Sequence, residues 1–286
     1  MDRYTLRLWA RQSAGLVGLA ILLLFLVMAL FGPTIEGASA VTLPLHPMIY
    51  APPSWLHPLG TDYEGVDVLA EIVAGAQPVL ETAALIAVFS VGIGSAVGLA
   101  AGAGGGVVDA ALMRITDLFL TLPSFPLLVV VTAALHLTNT VVVALVISLT
   151  AFGGLARAVR SQILSLRERE FVEAARCLDL GPGHLMLREY LPNLMPYILT
   201  HMLLAVTTGV YAQVGLFFLG VLPFRAENWG MMLNIAFNQA GAIFSSRSVL
   251  YFLAPILAVV FLQTGILLFS QSLDVIFNPR LRTGRG

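Results

Sequence analysis

The sequence predicts an all-α, polytopic membrane protein with six transmembrane helices. The chain is 58% hydrophobic and only 11% charged, whereas soluble domains carry about 25% charged residues, so its main solvent must be a bilayer. Its carboxylates and arginines are separated by five charge-free stretches, and a crossing helix needs about 20 mostly apolar residues. The stretches lie between Arg11 and Glu36, Glu81 and Asp109, Asp117 and Arg157, Glu189 and Arg225, and Arg247 and Asp274.

The third stretch is about twice the length of one crossing and is interrupted by Thr138, Asn139 and Thr140, so it reads as a helical hairpin and brings the count to six. The segment 229–244 carries Asn234, Asn238 and Gln239 and reads as an interfacial or re-entrant helix. The organisation that follows is a cytoplasmic N-terminus over 1–12, a first helix over 13–35, an external loop over 36–78, and a core of five further helices over 79–286. Within that core lies a long cytoplasmic loop, 157–195. Basic residues at 3, 7 and 11, the apolar run Ser13–Gly32 and the triplet Ala38-Ser39-Ala40 also imitate a cleavable signal peptide, but the run exceeds the about 7–15 residues of such a segment.

Every basic residue apart from histidine is an arginine; the chain has no lysine. Cytoplasmic loops retain positive charge, and with the N-terminus inside, thirteen arginines fall on the cytoplasmic side and only Arg225 and Arg247 outside. Both termini are then cytoplasmic. The missing lysine also removes the P-loop ATPase class, which needs that residue on its phosphates. One cysteine, Cys177, excludes an internal disulfide and multi-cysteine metal sites.

Ionisable residues inside spans are costly and mark ion pathways, yet Glu81, Asp274, His136 and His201 sit near predicted span ends. Transport energy is therefore expected to come from elsewhere, against the alternative of a secondary transporter driven by an ion gradient. No nucleophile–base pair or metal-ligand spacing occurs within the spans, so no catalytic or metal site is expected. Gly94, Gly98 and Gly102, at four-residue spacing, clear one helix face for close packing. Gly104-Gly105-Gly106 reads as a turn.

The charged loop 157–195 contains Phe171, Ala174, Ala175 and Leu178 at the i, i+3, i+4, i+7 positions of an amphipathic helix. Glu173 stands within reach of Arg169 and Arg176, at a few tenths of a kcal/mol per pair. Gly181-Pro182-Gly183 breaks that helix, and a second short one is expected from His184 to Tyr190 before Leu191-Pro192 leads into span five, with Pro192 setting the angle. The pattern is a helix-turn-helix whose stripe faces a partner.

Glu173-Ala174-Ala175, a helix break and Leu191-Pro192-Asn193 together resemble the EAA loop of permease subunits in binding-protein-dependent ABC importers. His57-Pro58-Leu59-Gly60-Thr61-Asp62, then Gly65 and Asp67-Val68-Leu69, resemble the external-loop motif of the dipeptide and oligopeptide C-type permeases. Met113-Arg114 with Asp117, the run from Arg167 to Arg176, Trp229-Gly230 and Asn278-Pro279-Arg280-Leu281-Arg282 extend the likeness over residues 56–282.

The resemblance implies a type I importer permease fold and makes Phe171, Glu173, Ala174, Ala175, Leu178, Asp179, Gly181, Leu191 and Pro192 the coupling element for an ATPase. It implies as partners a second permease, two ABC ATPase subunits that bind ATP and Mg, an extracytoplasmic solute-binding protein and the lipid bilayer of a bacterial inner membrane. It implies no cofactor in this chain and no nucleic acid. Substrates in this family are dipeptides, oligopeptides, nickel chelates and some oligosaccharides. His57, Gly60, Thr61, Asp62, Gly65 and Asp67 form the matched external-loop set. Thr207, Thr208, Tyr211 and Gln213 on span five are open to two readings, path lining and bonds to neighbouring helices.

Two positions depart from the family's pattern. Val66 replaces an arginine in the external loop, and Asp179 stands where a glycine ends the coupling helix. Asp accepts a left-handed backbone better than most residues, and Gly181 offers a second place for the turn.

The topology is directly testable. A reporter fused after Arg282 should behave as cytoplasmic and one inserted near Trp55 as external; the opposite pattern at either site would contradict six spans.

Overall fold

The computed structural model describes residues 13–40, 49–223, 228–238 and 248–277. The predicted N-terminal segment 1–12, Arg225, Arg247 and the Asn278-Pro279-Arg280-Leu281-Arg282 motif with Arg285 lie outside the described residues, as does part of the external loop. Among the described residues the architecture is all-helical: α1 (Ser13–Ala40), α2 (Val68–Gly104), α3 (Gly106–Thr121), α4 (Ser124–Leu135), α5 (Thr140–Leu166), α6 (Glu170–Cys177), α7 (Pro182–His184), π1 (Leu185–Tyr190), α8 (Leu191–Phe218), α9 (Trp229–Asn238) and α10 (Val249–Phe277).

Five helical segments are long and apolar enough to cross a membrane, and a sixth crossing exists if the bent pair α3–α4 counts as one span. The break expected at Thr138, Asn139 and Thr140 is present, with Asn139 capping α5, but the stretch before it is itself bent at this pair. Its two helices meet at 88°, because Leu122-Pro123 breaks the run and proline restricts the residue before it to extended backbone; Leu122 has ψ 137°. The 12 residues of α4 rise only about 18 Å, short of an unaided crossing.

The second span also starts earlier than its charge-free stretch. Helix α2 begins at Val68, inside the predicted external loop, and so takes in Glu71 and Glu81. Glu81 is exposed within the helix rather than at its end.

The chain divides into two compact units. One comprises residues 1–83, 136–138 and 210–286. Here α1 packs on α10 at small residues: a Cβ on Gly18 would stand 2.6 Å from the Phe269 backbone nitrogen, and one on Gly265 2.6 Å from Ile21 Cγ2. Phe25 meets Trp229 edge-on at 5.7 Å.

The segment expected at an interface is α9, ten residues long and mostly buried. It is too short to cross. Trp229 Nε1 donates to the Ile72 carbonyl at 2.9 Å and Asn234 Nδ2 to the Phe218 carbonyl at 2.6 Å, so these two polar groups are used in packing; Asn238 is exposed, and Gln239 lies outside the described residues.

The other unit comprises 84–135 and 139–209. Its spine is the contact between α2 and α5, where the glycine stripe brings the two backbones together. A Cβ on Gly98 would lie 2.6 Å from the Ala156 carbonyl oxygen and 2.7 Å from Val159 Cβ; one on Gly102 would lie 2.8 Å from Ile163 Cβ. The stripe is a packing face, as its spacing suggests. Gly105, with φ 63°, forms the expected turn between α2 and α3.

Helix α3 is tied to α5 by Arg160, whose Nε and Nη2 donate to the two carboxylate oxygens of Asp109 at 2.7 and 2.6 Å, and by Arg157 to Asp117 at 2.6 Å. Arg167 Nη1 donates to the Gly102 carbonyl at 3.1 Å and so caps the end of α2.

Gly98→Ala should destabilise the purified protein by about 1–3 kcal/mol, the typical range for overpacking. Gly92→Ala, whose Cβ would meet nothing within 4 Å, should be neutral or slightly stabilising because alanine is the better helix former. Thermal unfolding midpoints in detergent distinguish the two.

Candidate functional site

Helix α6 is assembled from charge and from two buried side chains. Glu170 and Glu173 occupy its first turn and Arg176 its last, which complements the helix dipole at both ends. Glu173 forms no ion pair with Arg169 or Arg176 among the described residues, so its contribution is this end effect rather than the predicted pairs.

The apolar stripe divides. Val172 is fully buried and Ala175 nearly so, whereas Phe171, Ala174 and Leu178 are exposed. Ala175 therefore faces this chain's own interior, which corrects its assignment to a partner-facing stripe. The core that receives Val172 consists of Val91 from α2, Leu155, Val159 and Ile163 from α5, Tyr190 from π1, and Leu194 and Ile198 from α8.

The end of α6 is a Schellman motif. The Asp179 N–H donates to the Arg176 carbonyl at 2.9 Å and the Leu180 N–H to the Ala175 carbonyl at 3.2 Å, the paired bonds that satisfy carbonyls left over at a helix end. The residue between them must be left-handed, and Asp179 has φ 53°. Asp179 thus fills the glycine position itself. Gly181 does not take over the turn: with φ −60° it precedes α7 as its N-cap.

The second helix also differs from expectation. Residues from Pro182 to Phe218 form one continuous helical segment, so no break falls at Leu191-Pro192 and Pro192 does not set an angle between two elements. The physical reason is π1. The Leu191 N–H reaches back to the Met186 carbonyl, the wider π spacing, and this register lets a residue without an N–H enter the helix. Asn193 Nδ2 donates to the Glu189 carbonyl at 2.7 Å, satisfying an acceptor in the same turn. Leu191 packs against the core beneath α6, while Pro192 is exposed. The sequence assigns no role to Val172 or Tyr190, which enter there only inside a matched run and as a helix end, and it names Asn193 only as part of the Leu191-Pro192-Asn193 match.

In the other unit, the external-loop residues form a self-satisfied cap on α2. Asp67 Oδ1 accepts from the Leu69 and Ala70 N–H groups at 2.7 and 3.2 Å, and its Oδ2 lies 3.0 Å from His57 Nδ1. Asp62 Oδ1 accepts from the Glu64 and Val66 N–H groups at 2.8 and 2.7 Å. Burial nevertheless pushes its carboxyl above the usual range, against those two bonds.

Thr61 Oγ1 accepts from the Ala51 N–H at 2.8 Å. Gly60 and Gly65 have φ 81° and 86°, and a Cβ on Gly60 would collide with the Ala51 carbonyl. All six residues are thus brought together, as a structural cap.

The four span-five candidates separate. Gln213 is fully buried and its Nε2 donates to the Val79 carbonyl at 2.7 Å, a bond between helices. The Thr207 and Thr208 hydroxyls return to the Leu203 and Leu204 carbonyls of their own helix. Thr208 and Tyr211 lie exposed three residues apart, with Leu204 on the same face.

Comparison with known proteins adds to this geometry. Residues 94–283 match the family described as "Binding-protein-dependent transport system inner membrane component". A Brucella suis biovar 1 protein, provisionally named a peptide permease, is 39% identical over 191 residues, which cover 66% of this chain but only 62% of the relative. The oligopeptide transport system permease protein OppC of Mycobacterium tuberculosis is 35% identical over 75% of this chain and 74% of its own. The dipeptide transport system permease protein DppC of Alkalihalophilus pseudofirmus is 32% identical over 78% of this chain and 73% of its own.

The left-handed Asp179 gives a direct test of the helix end. Asp179→Gly should raise stability by about 0.5–1 kcal/mol by removing left-handed strain, and Asp179→Val should lower it by about 1 kcal/mol or more. Both are read from thermal unfolding of the purified protein.

Proposed function

This chain belongs to the family of binding-protein-dependent transport system inner membrane components, and from that membership we propose that it is one permease subunit of an ATP-driven importer of dipeptides or oligopeptides. The names of the relatives support the peptide class; nickel chelates and oligosaccharides are the alternative cargo. Its partners are a second permease, two ABC ATPase subunits that bind ATP and Mg, and an extracytoplasmic solute-binding protein. It carries no catalytic group of its own, and both termini are cytoplasmic.

One observation carries the coupling role. Helix α6 buries Val172 and Ala175 in its own unit yet leaves Phe171 at 40% and Leu178 at 73% exposure, with the small Ala174 between them. An eight-residue helix is far below the about 12–15 residues at which isolated helices become even marginal, so its shape is imposed by the core beneath it. A large apolar pair presented on a charged, rigidly seated helix fits a groove in a partner protein. Phe171, Ala174 and Leu178 are the docking residues, and Ala175, Asp179, Leu191 and Asn193 hold them in place.

Leu178→Glu should leave membrane insertion intact and weaken ATPase association at least about tenfold, the scale of a buried interface anchor. Ala174→Trp should act in the same direction by overpacking the dock. Co-purification and uptake are measured together; a well-inserted Leu178→Glu subunit that binds its ATPases and transports normally would refute the proposal. Ala175→Trp should instead destabilise this subunit itself.

A further inference from the structure

Glu71 lies in the first turn of α2, one turn beyond Asp67. The residue as a whole is partly exposed, but its Oε2 has no solvent contact and no hydrogen-bond partner among the described residues. The charged groups whose fields reach it are Asp62, Glu64 and Asp67, all of its own sign. Among the described residues no arginine or histidine lies within ion-pair distance of it.

The neighbouring carboxylates are already engaged. Asp67 caps the Leu69 and Ala70 N–H groups and meets His57; Asp62 holds the loop N–H groups. The Leu69 and Ala70 N–H groups at the start of α2 are therefore used by Asp67. Beside this group, the rings of Tyr63 and Tyr251 stand 6.2 Å apart at 47°, and Glu71 and Asp62 are close enough for their charges to act on both phenols. Burial, with Glu64 beside it, pushes the Tyr63 phenol up to about 12, so it stays a neutral donor at physiological pH.

A carboxyl with one buried oxygen unpaired among the described residues, set in a field of like charge with the Tyr63 and Tyr251 phenols within electrostatic reach, is arranged for a cation with N–H donors. The geometry points to Glu71, with Tyr63 and Tyr251, as a binding site for a primary ammonium group, supplied by the free amino terminus of a transported peptide. A carboxylate gives that group a charge-assisted hydrogen bond, and the ring faces attract it further. The choice of a peptide amine rests on the peptide-importer reading above.

The test uses the complete permease–ATPase complex without its binding protein, with labelled trialanine and N-acetyl-trialanine as probes. Equilibrium binding should favour trialanine at least about tenfold. Glu71→Gln should erase that preference by weakening trialanine alone, and Glu71→Asp should restore part of it. Equal affinity in the wild type, or a preference kept by folded Glu71→Gln, would overturn the site.

Docking of the peptide-free binding protein should be normal in Glu71→Gln. Weakened docking with unchanged trialanine binding would mean that a basic residue of that protein occupies the site, which also overturns the inference. Trialanine uptake by wild-type proteoliposomes containing the binding protein separates the two levels: uptake without amine preference overturns this site alone, whereas neither binding nor uptake of either peptide overturns the importer reading as well.

Discussion

The burial of Val172 and Ala175 is the constraint on which the outward surface of this subunit depends. Helix α6 is too short to persist by its own hydrogen bonds. What seats it is the insertion of Val172 among Val159, Ile163, Tyr190 and Leu194, with the Schellman turn at Asp179 fixing where it stops. Interiors are close-packed and transmit strain, so a displacement of α6 acts directly on α5 and on the π1–α8 segment, the elements that continue into the apolar helices of that unit. If ATP is hydrolysed by partner subunits, as proposed above, this packing is the mechanical link that the geometry offers.

Much of this was legible in the sequence, and the failures have physical causes. Charge-free stretches locate the apolar helices because a bilayer penalises ionisable groups, and the glycine stripe is readable because only absent side chains allow the Ala156 carbonyl so close to Gly98. The stripe on α6 was half legible. Periodicity places Phe171, Ala174, Ala175 and Leu178 on one broad face but cannot say which edge turns inward, and Val172 on the adjoining edge decides that.

Proline misled in two opposite ways. Pro123 marks a bend of 88° inside what reads as one uninterrupted span, while Pro192, which reads as a break, is absorbed by a π turn and by Asn193. The difference lies in hydrogen bonds to distant or side-chain partners, which a local pattern does not encode. Glu71 was missed for a similar reason: charge counting treats the residues before a span as loop, and α2 starts at Val68 because Asp67 caps it there.

The outer face of α6 is open in this subunit, and the proposed docking requires it to be covered once ATPase subunits are bound. The native thiol of Cys177, exposed at the end of α6, reports on it without any substitution. A hydrophilic maleimide should label Cys177 readily in the permease without ATPase subunits and should be excluded, at least about tenfold in rate for a group inside a desolvated interface, once the ATPases are bound. Equal labelling rates in the two states, with the complex shown to be intact, would contradict the account.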